Sequence, residues 1–582
     1  MEARENNFGF MINENSVKIP FFQRKYVWGE DEWEQLFEDL LDSFNTKKAH
    51  FLGSIILKQL STQTGKGSDR SLIDGQQRLT TFSILIKCLY DKLAENIKQD
   101  YDYRAYLFQQ PYSSKKPKIK HSQSDSQCFD RVFNATSATE INDADDKILR
   151  CYKYFDSRIE DIDDIQKFMD FILKESKLWV VIDIEQDEDE QKIFDSINST
   201  GIKLTATDII KNALFDKVIK LTINYETLYK DYWESVFENE NTDFWDSEVA
   251  TGRLKRTQSE IFLHAFAIIK GFFDAEKSLE KLSASYKDKI KNLSEETMKI
   301  FLKELKQYAN IYFNFPKIVF SSDKNKATNF AFDDYELRLF HILKVADVNT
   351  IMPLLLKLKA LYGKDEKTLK ECYEVLEIFI INCYVSSATT KDYNKLFAKM
   401  TLELDDKNPI ISIKNHLKER ATTPLPNHSQ IEISLKSAAK KLDNKRAKLV
   451  LFWIELFRRH NNPNDIKELT YKYELEHLMP QKWEENWTEI GKDKETAETL
   501  IYQIGNMTLL NGSLNASISN AKWIEKLGNE KSKKNCIKKC ADLLVTREIL
   551  DKKEWNATEI ETRTKNLIKE FFEIWDITKL NN

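Results

Sequence analysis

Residues 474–481 read ELEHLMPQ, residues 505–510 read GNMTLL, and Asn515 follows shortly after them. Short apolar runs broken by turn residues, and then the helical pattern of SISNAKWIEKL, predict a strand, a loop, a strand and a helix. The first strand would end on a carboxylate and a histidine side by side, Glu476 and His477. The helix would return a further side chain to the same place. The segment therefore predicts a ββα metal site.

Such a set of side chains suits the hydrolysis of a phosphodiester bond. That reaction requires an activated water, a charge sink for the pentacoordinate phosphate and help for the leaving oxygen, all held close together. A neutral histidine can activate the water, and one metal ion can supply the rest. Mg²⁺ needs only about two or three protein ligands, because it keeps several of its waters.

The segment resembles the HNH, or His-Me finger, nucleases, whose pattern is an acid-His dipeptide, a hydrophobic pair, a proline and two later asparagines. These positions are Glu476, His477, Pro480, Asn506 and Asn515. The resemblance implies that His477 is the general base and that Glu476 and Asn515 bind Mg²⁺ or Mn²⁺. It also implies that Asn506 holds the loop or orients the histidine. The family more often has Asp or His at the position of Glu476, which puts the geometry in question. In the alternative interpretation, His477 is an ordinary histidine and GNMTLL is only a hairpin.

A run of lysines follows the site in EKLGNEKSKKNCIKK. It is either a surface for DNA phosphates or a solvated helix face. Its members are Lys526, Lys531, Lys533, Lys534, Lys538 and Lys539.

The N-terminal part contains a second pair of motifs, IPFFQRKYVW at 19–28 and LIDGQQRLTT at 72–81. The latter reads as an apolar strand that ends in an acidic turn and leads into a helix. Gly75 permits the tight turn, and the first helical amides, with Arg78, Thr80 and Thr81, are expected to face an anion. This pattern predicts a phosphate site without a Walker motif.

These motifs resemble the N-terminal domain of GmrSD-type enzymes, which is related in fold to the ParB and sulfiredoxin group. A third block, at 194–201 and 204–212, extends the resemblance, and Asn198 or Asp208 would complete the pocket. Asp74 would hold Mg²⁺ or orient a water. In the alternative, Asp74 and Gly75 form only a turn, and Arg78 stabilises it by bonding Asp74. The nucleoside triphosphate site implied by the resemblance consists of Gln23, Arg24, Asp74, Gly75, Gln76, Gln77 and Arg78.

The chain of 582 residues is too long for one core, and its patterns divide it into three parts. We predict an α+β multidomain protein. Residues 1–215 would form a ParB/sulfiredoxin-like nucleotide-binding domain with strands near 50–57, 71–75 and 178–185. Residues 216–420 would form a mostly helical connector, and residues 421–582 the ββα-metal (HNH) nuclease domain.

Composition narrows the class of protein further. The start of the chain lacks the pattern of a signal peptide, and no apolar run is long enough to span a bilayer, so a cytoplasmic protein without a membrane partner is expected. The seven scattered cysteines favour reduced thiols over disulfides or zinc. The net charge of -5 does not exclude DNA binding, because a large protein can concentrate its lysines locally.

Together, the two resemblances imply a type IV restriction endonuclease that cuts modified phage DNA and is regulated by nucleoside triphosphate binding or hydrolysis. Whether hydrolysis activates or restrains cutting stays open, as does a homodimer. Three alternatives are a cytosolic nuclease toxin, a regulatory NTPase or DNA-binding module with weak nuclease activity, and a helical-repeat scaffold. The absence of an internal repeat counts against the scaffold.

Overall fold

The computed structural model describes most of the chain and shows the predicted α+β class, with helices predominating over short strands. No helix among the described residues is long and apolar enough to cross a membrane. The residues outside the description are 1, 21, 22, 24, 49, 61–67, 101, 122, 142–145, 186–204, 222–223, 252–253, 322, 324, 421–423, 437–442, 463, 492, 513–517, 519, 529–535 and 582.

The chain separates into two compact units, Met1–Tyr229 and Lys230–Asn582. In the described part of the first unit, six strands form one mixed sheet in the order β1-β6-β3-β4-β2-β5. β4 and β5 both run parallel to β2, whereas β3 runs antiparallel to β4. These strands are β1 (Glu2–Asn6), β2 (Glu14–Lys18), β3 (Ser54–Gln59), β4 (Ser68–Asp74), β5 (Ile119–Lys120) and β6 (Trp179–Ile184). Three of them coincide with the strands expected near 50–57, 71–75 and 178–185.

Helices cover this sheet and supply most of its aromatic core. The helix Gln76–Lys92 is buried along nearly its whole length, and Phe82 packs edge-on against Trp179 of β6 with ring centroids 4.6 Å apart. The α-helices among the described residues of the first unit are Glu30–Thr46, Gln76–Lys92, Glu95–Asp100, Arg104–Leu107, Gln123–Asn134, Lys147–Arg158, Ile165–Asp170, Ala206–Leu221 and Tyr225–Tyr229.

The second unit is mainly helical, as its Lys, Glu and Leu periodicity predicts. Residues 216–420 also contain strands that this periodicity did not reveal, a short hairpin of β7 (Glu248–Thr251) and β8 (Leu254–Thr257) and the strand β9 (Asn329–Ala331). Its helices of eight residues or more are Gln258–Ile269, Leu282–Ile290, Glu295–Phe313, Tyr335–Ala346, Met352–Tyr362, Glu366–Val385, Tyr393–Glu403, Pro409–Lys418, His428–Lys436, Asn444–Asn461, Lys494–Ile501 and Ala557–Ile574.

A buried charge pair links the helices on either side of residue 420. The Arg338 Nε atom donates to Oε1 of Glu377 at 2.7 Å, and the indole of Trp575, near the end of the chain, donates to the same oxygen at 2.6 Å. In addition, β9 pairs with β10 (Glu468–Thr470). Residues before and after 420 therefore share one packed interior.

Buried histidines make the stability of the second unit dependent on pH. His341 is fully buried against Phe330, and neither ring nitrogen has a hydrogen-bond partner among the described residues. Burial, reinforced by Lys344 and Lys448, lowers the pKa of His341 to about 3. The folded state therefore keeps this ring neutral while the unfolded chain takes up a proton below about pH 6.5.

We expect the free energy of unfolding to be highest above about pH 6.5 and to fall as the pH drops toward 3. For His341 alone the expected loss at pH 5 is about 2 kcal/mol. This loss is measured by urea unfolding of the wild type and of His341→Phe at pH 7.5 and pH 5. The variant has no imidazole at position 341 to take up the proton, so its stability should fall less. Equal losses in the two proteins would contradict the assignment.

Candidate active site

The predicted pair of acid and histidine lies at the end of a short two-stranded ribbon. β11 (Glu474–His477) pairs antiparallel with β12 (Met507–Leu510), so that Glu476 is opposite Thr508 and His477 is opposite Met507. Both side chains are largely buried. The strand-loop-strand order expected from residues 474–510 is present, with the helix Lys494–Ile501 inside the loop.

The ring of His477 is buried and uncharged at neutral pH. Its Nε2 atom is buried and has no hydrogen-bond partner among the described residues. Burial and, to a smaller extent, the positive charge of Lys526 together lower the pKa of His477 to about 4. At neutral pH the ring is therefore uncharged and can accept a proton at a nitrogen that no described protein group occupies.

Glu476 is paired with a buried lysine that the sequence did not indicate as part of the site. The Lys526 Nζ atom donates to Glu476 Oε1 at 2.5 Å and to the backbone oxygen of His477 at 3.1 Å. Burial raises the pKa of Glu476, and the ammonium group of Lys526 opposes that rise. Consecutive positions of β11 therefore carry a carboxylate tightly paired with an ammonium group and a neutral ring.

Asn506 ties the loop after β11 to the start of β12. Its Oδ1 atom accepts from the backbone amide of Met479 at 2.8 Å and from the Trp555 indole at 3.0 Å. Its Nδ2 atom donates to the Met479 oxygen at 2.9 Å, and its own backbone oxygen accepts from Leu478 at 2.8 Å. The contacts of Asn506 thus fix the two residues that follow His477.

The helix Ala557–Ile574 holds the turn that presents Asn506. Arg563 donates from one guanidinium nitrogen to the backbone oxygens of Gly505 and Met507, both at 2.6 Å. A Cβ atom at Gly505 would lie 2.3 Å from the backbone oxygen of Ile560. Only glycine permits this close approach of turn and helix.

The remaining C-terminal predictions have different outcomes. Asn515 lies outside the described residues, as do Lys531, Lys533 and Lys534 of the lysine run. Lys526 is fully buried, so it is not part of an exposed phosphate-binding face. The helix Trp523–Leu527 explains this burial, because residues three and four apart lie on the same face of a helix. Lys526 therefore shares the buried face of Trp523 and Leu527.

A divalent cation such as Mg²⁺ would find one carboxylate at this place, that of Glu476, and the amide of Asn515 would add a second oxygen ligand. The described residues contain no cluster of three or more His, Cys, Asp and Glu side chains. Among the described residues, the negative charge available to the ion would therefore come from the Glu476 carboxylate, which is already bonded to Lys526.

In the first unit, the strand-turn-helix motif has the predicted form. β4 ends at Asp74, Gly75 adopts a φ of 94°, and the helix Gln76–Lys92 begins immediately after it. Such a φ is costly for residues other than glycine, so Gly75 is required for this turn. The first helical amides therefore lie directly beyond the strand end.

Arg78 is bonded within the turn. One of its guanidinium nitrogens pairs with Asp74 Oδ2 at 3.2 Å, and another donates to the Leu52 backbone oxygen at 3.4 Å. The guanidinium group also lies against Gly53, where a Cβ atom would approach its Nη1 to 1.9 Å. About a fifth of the Arg78 side chain is exposed. The contact with Asp74 matches the structural alternative, and the exposed part leaves the phosphate role as a prediction.

Two glutamines of the predicted nucleotide site join its two motifs. Gln77 Oε1 accepts from the backbone amide of Val27 at 2.8 Å, and its Nε2 donates to the Lys25 oxygen at 3.2 Å. Gln23 Nε2 donates to the Leu72 oxygen at 2.7 Å. The segments 19–28 and 72–81 therefore lie side by side, with Gln76 also buried at the helix start. Arg24 lies outside the described residues.

The expectation that Thr80 and Thr81 face an anion is wrong. Both side chains are fully buried: Thr80 Oγ1 lies 3.1 Å from His121 Nε2, and Thr81 Oγ1 lies 2.6 Å from the hydroxyl of Tyr26. These positions are about one turn into the helix, where its inner side faces the core.

In the third block, Asn198 lies outside the described residues, and Asp208 accepts from the amide of Thr205. Asp208 therefore bonds the residue just before the helix Ala206–Leu221.

Comparison with known proteins identifies two domains, one containing the N-terminal motifs and the other the C-terminal motifs. Residues 8–215 match the family described as "GmrSD restriction endonuclease, N-terminal domain", and residues 428–570 match "GmrSD restriction endonucleases, C-terminal domain". The matches define the class, restriction endonucleases with these two domains. The chain belongs to the GmrSD family.

One curated relative is an uncharacterized protein of Methanocaldococcus jannaschii. It is 23% identical over 322 residues, which cover 47% of this chain and 50% of the relative. The chain thus spans about half the length of the curated relative it matches.

Proposed function

We propose that this protein is an anti-phage endonuclease that hydrolyses phosphodiester bonds of modified foreign DNA and responds to a nucleoside triphosphate through its N-terminal domain. Membership of the GmrSD family supports the nuclease class. The observation that carries the proposal is the buried His477 Nε2, which has no described partner and belongs to a ring held neutral beside Glu476. The corresponding folds are a ParB/sulfiredoxin-like domain in residues 1–215 and a His-Me finger in residues 421–582, joined by residues 216–420.

In the proposed mechanism, His477 Nε2 accepts a proton from the attacking water. Asn506 keeps the histidine in place through its bonds to the following loop. Glu476, with Asn515, would hold Mg²⁺ or Mn²⁺. When bound, the ion would supply charge stabilisation for the phosphate oxygens and the leaving oxygen. Less than about a tenth of His477 and of Glu476 is exposed, so bulk water is largely excluded from both side chains.

Cleavage assays on the purified full chain test this proposal. The substrates are one DNA sequence in unmodified form, with glucosylated hydroxymethylcytosine and with phosphorothioate linkages, each with and without Mg²⁺ and a nucleoside triphosphate. We expect metal-dependent cutting of at least one modified DNA and little cutting of the unmodified form. Equal cutting of all forms would favour a nuclease toxin. Folded protein that cuts none would contradict the nuclease assignment.

The nucleotide site is tested by Arg78→Ala. A partly exposed ion pair such as that of Arg78 and Asp74 contributes about 1 kcal/mol or less, so the variant is expected to fold. It should lose nucleotide binding, measured by calorimetry, because alanine cannot replace a guanidinium group that faces phosphate oxygens.

Arg70→Ala is the matched control for Arg78→Ala. Arg70 pairs with Glu14 and Asp183 in the same sheet, has similar exposure and lies outside the motif. Unchanged nucleotide binding by Arg78→Ala would leave Arg78 with only its structural bonds to Asp74 and Leu52.

A further inference from the structure

Lys526 combines complete burial with direct contact to both candidate catalytic residues. Its ammonium group bonds the carboxylate of Glu476 and the backbone oxygen of His477, and the side chain has no exposed surface. Lysine is seldom buried to this extent unless it is paired, because removing an unpaired ammonium group from water is costly. The pairing with Glu476 therefore holds Lys526 inside the protein, and Lys526 in turn holds the strand end.

We propose that Lys526 competes with the divalent metal ion for Glu476, so that loading of the site requires the bond between Lys526 and Glu476 to break. This inference rests on the proposed function, in which Glu476 is a metal ligand. An ammonium group and a divalent ion carry three positive charges against one carboxylate. The described residues hold no cluster of acidic or histidine donors that would offset the excess. Coulomb repulsion in a buried site then disfavours simultaneous occupancy.

Competition gives Lys526 a defined role as a positioning residue. Before metal binds, the lysine neutralises the carboxylate and keeps the end of β11 in place. When metal binds, the carboxylate changes partner, and the ammonium group must move from Oε1 of Glu476. The lysine thus sets the metal concentration at which the nuclease becomes active.

The test compares metal binding by metal-free full-length wild type and Lys526→Met, with Mn²⁺ as the probe in calorimetry. The methionine fills a similar volume without the charge. We expect at least about tenfold tighter Mn²⁺ binding, since a competing ionic contact has been removed. The metal-free variant should melt at a lower temperature than wild type, because Glu476 loses its partner, and saturating Mn²⁺ should recover most of that loss.

Lys87 provides a matched control in the first unit. It is also buried and likewise bonds one carboxylate, that of Asp91, and one backbone oxygen, that of Ala135. Lys87→Met should lower the melting temperature without recovery by Mn²⁺. If Lys526→Met shows unchanged Mn²⁺ affinity, or a melting loss that Mn²⁺ does not reverse, the competition is refuted.

A second variant covers the case in which Lys526→Met does not fold. Lys526→Gln keeps a hydrogen-bond donor while removing the charge, so the same tighter Mn²⁺ binding is expected. Adding Glu476→Gln to either variant should abolish the gain, and a gain that survives would place the ion elsewhere. Wild-type DNA cleavage is measured separately. If the wild type cleaves DNA but Lys526→Met binds Mn²⁺ no more tightly than the wild type, the competition alone is refuted. If Lys526→Met binds Mn²⁺ more tightly but the wild type cleaves no DNA, the nuclease assignment alone is refuted.

Discussion

Replacing His477 with alanine is expected to lower the rate of DNA cleavage by about 10²- to 10⁴-fold, the range for a positioned acid-base group. The physical reason is that the variant removes the only imidazole among the described residues of β11 and β12, and with it the Nε2 atom that has no described partner. Single-turnover cleavage of modified DNA at saturating Mg²⁺ measures the rate. Mn²⁺ affinity should change little, since Glu476 is retained.

Two measurements separate a catalytic from a packing effect of His477→Ala. Melting curves show whether the ribbon stays folded. His341→Phe serves as the control, because His341 is buried in the same unit with a similarly lowered pKa but lies in the packing of β9 and not at the ribbon. The control should cut at the wild-type rate. A His477→Ala protein that cuts as fast as wild type would exclude His477 as the base.

Local patterns in the sequence identify the main parts of this site. Glu476 and His477 are neighbours at a strand end, and the glycine before Asn506 marks the next turn, so a short window contains the information. The turn at Gly75 is predictable for the same reason, since its φ is a property of a single residue. The local backbone conformation of such segments is determined mainly by their own residues, which is why it can be predicted from a short stretch of sequence.

Partners that are distant in sequence could not be read in this way. Lys526 is 50 residues from Glu476, and a lysine in a lysine-rich segment looks like a surface residue. Thr80 and Thr81 follow a turn and helix start of the kind that predicts an anion site, yet burial against His121 and Tyr26 determines their contacts. The spacing of apolar neighbours places positions 526 and 563 on buried helix stripes, and this is the signal that could have identified both residues.

The largest expected effect on stability is that of Arg563→Ala. The guanidinium group is almost fully buried and donates to the backbone oxygens of Gly505, Met507 and Val545 and to the carboxylate of Glu548. Removing it takes a donor from the backbone oxygens of Gly505 and Met507, whereas Arg458 still pairs with Glu548 and the Thr508 hydroxyl still donates to Val545. Breaking a buried pair costs about 3–5 kcal/mol. That is a large share of the roughly 5–15 kcal/mol that stabilises a typical domain.

The loss should appear in function as well as in stability, because two of the bonds of Arg563 fix the turn before and after Asn506. Urea unfolding of the full chain measures the change in the free energy of unfolding of the second unit, and DNA cleavage under native conditions measures the effect on the site.

Arg547→Ala is the control for Arg563→Ala. About half of the Arg547 side chain is exposed, and its nearest carboxylate contact, with Asp465, is 3.9 Å long. The control should change stability by no more than about 0.5 kcal/mol. Arg563→Lys should recover only part of the loss, since one ammonium group cannot reach acceptors on several sides as a guanidinium fork does. An Arg563→Ala protein as stable and active as Arg547→Ala would show that the turn at Gly505 does not depend on this clamp.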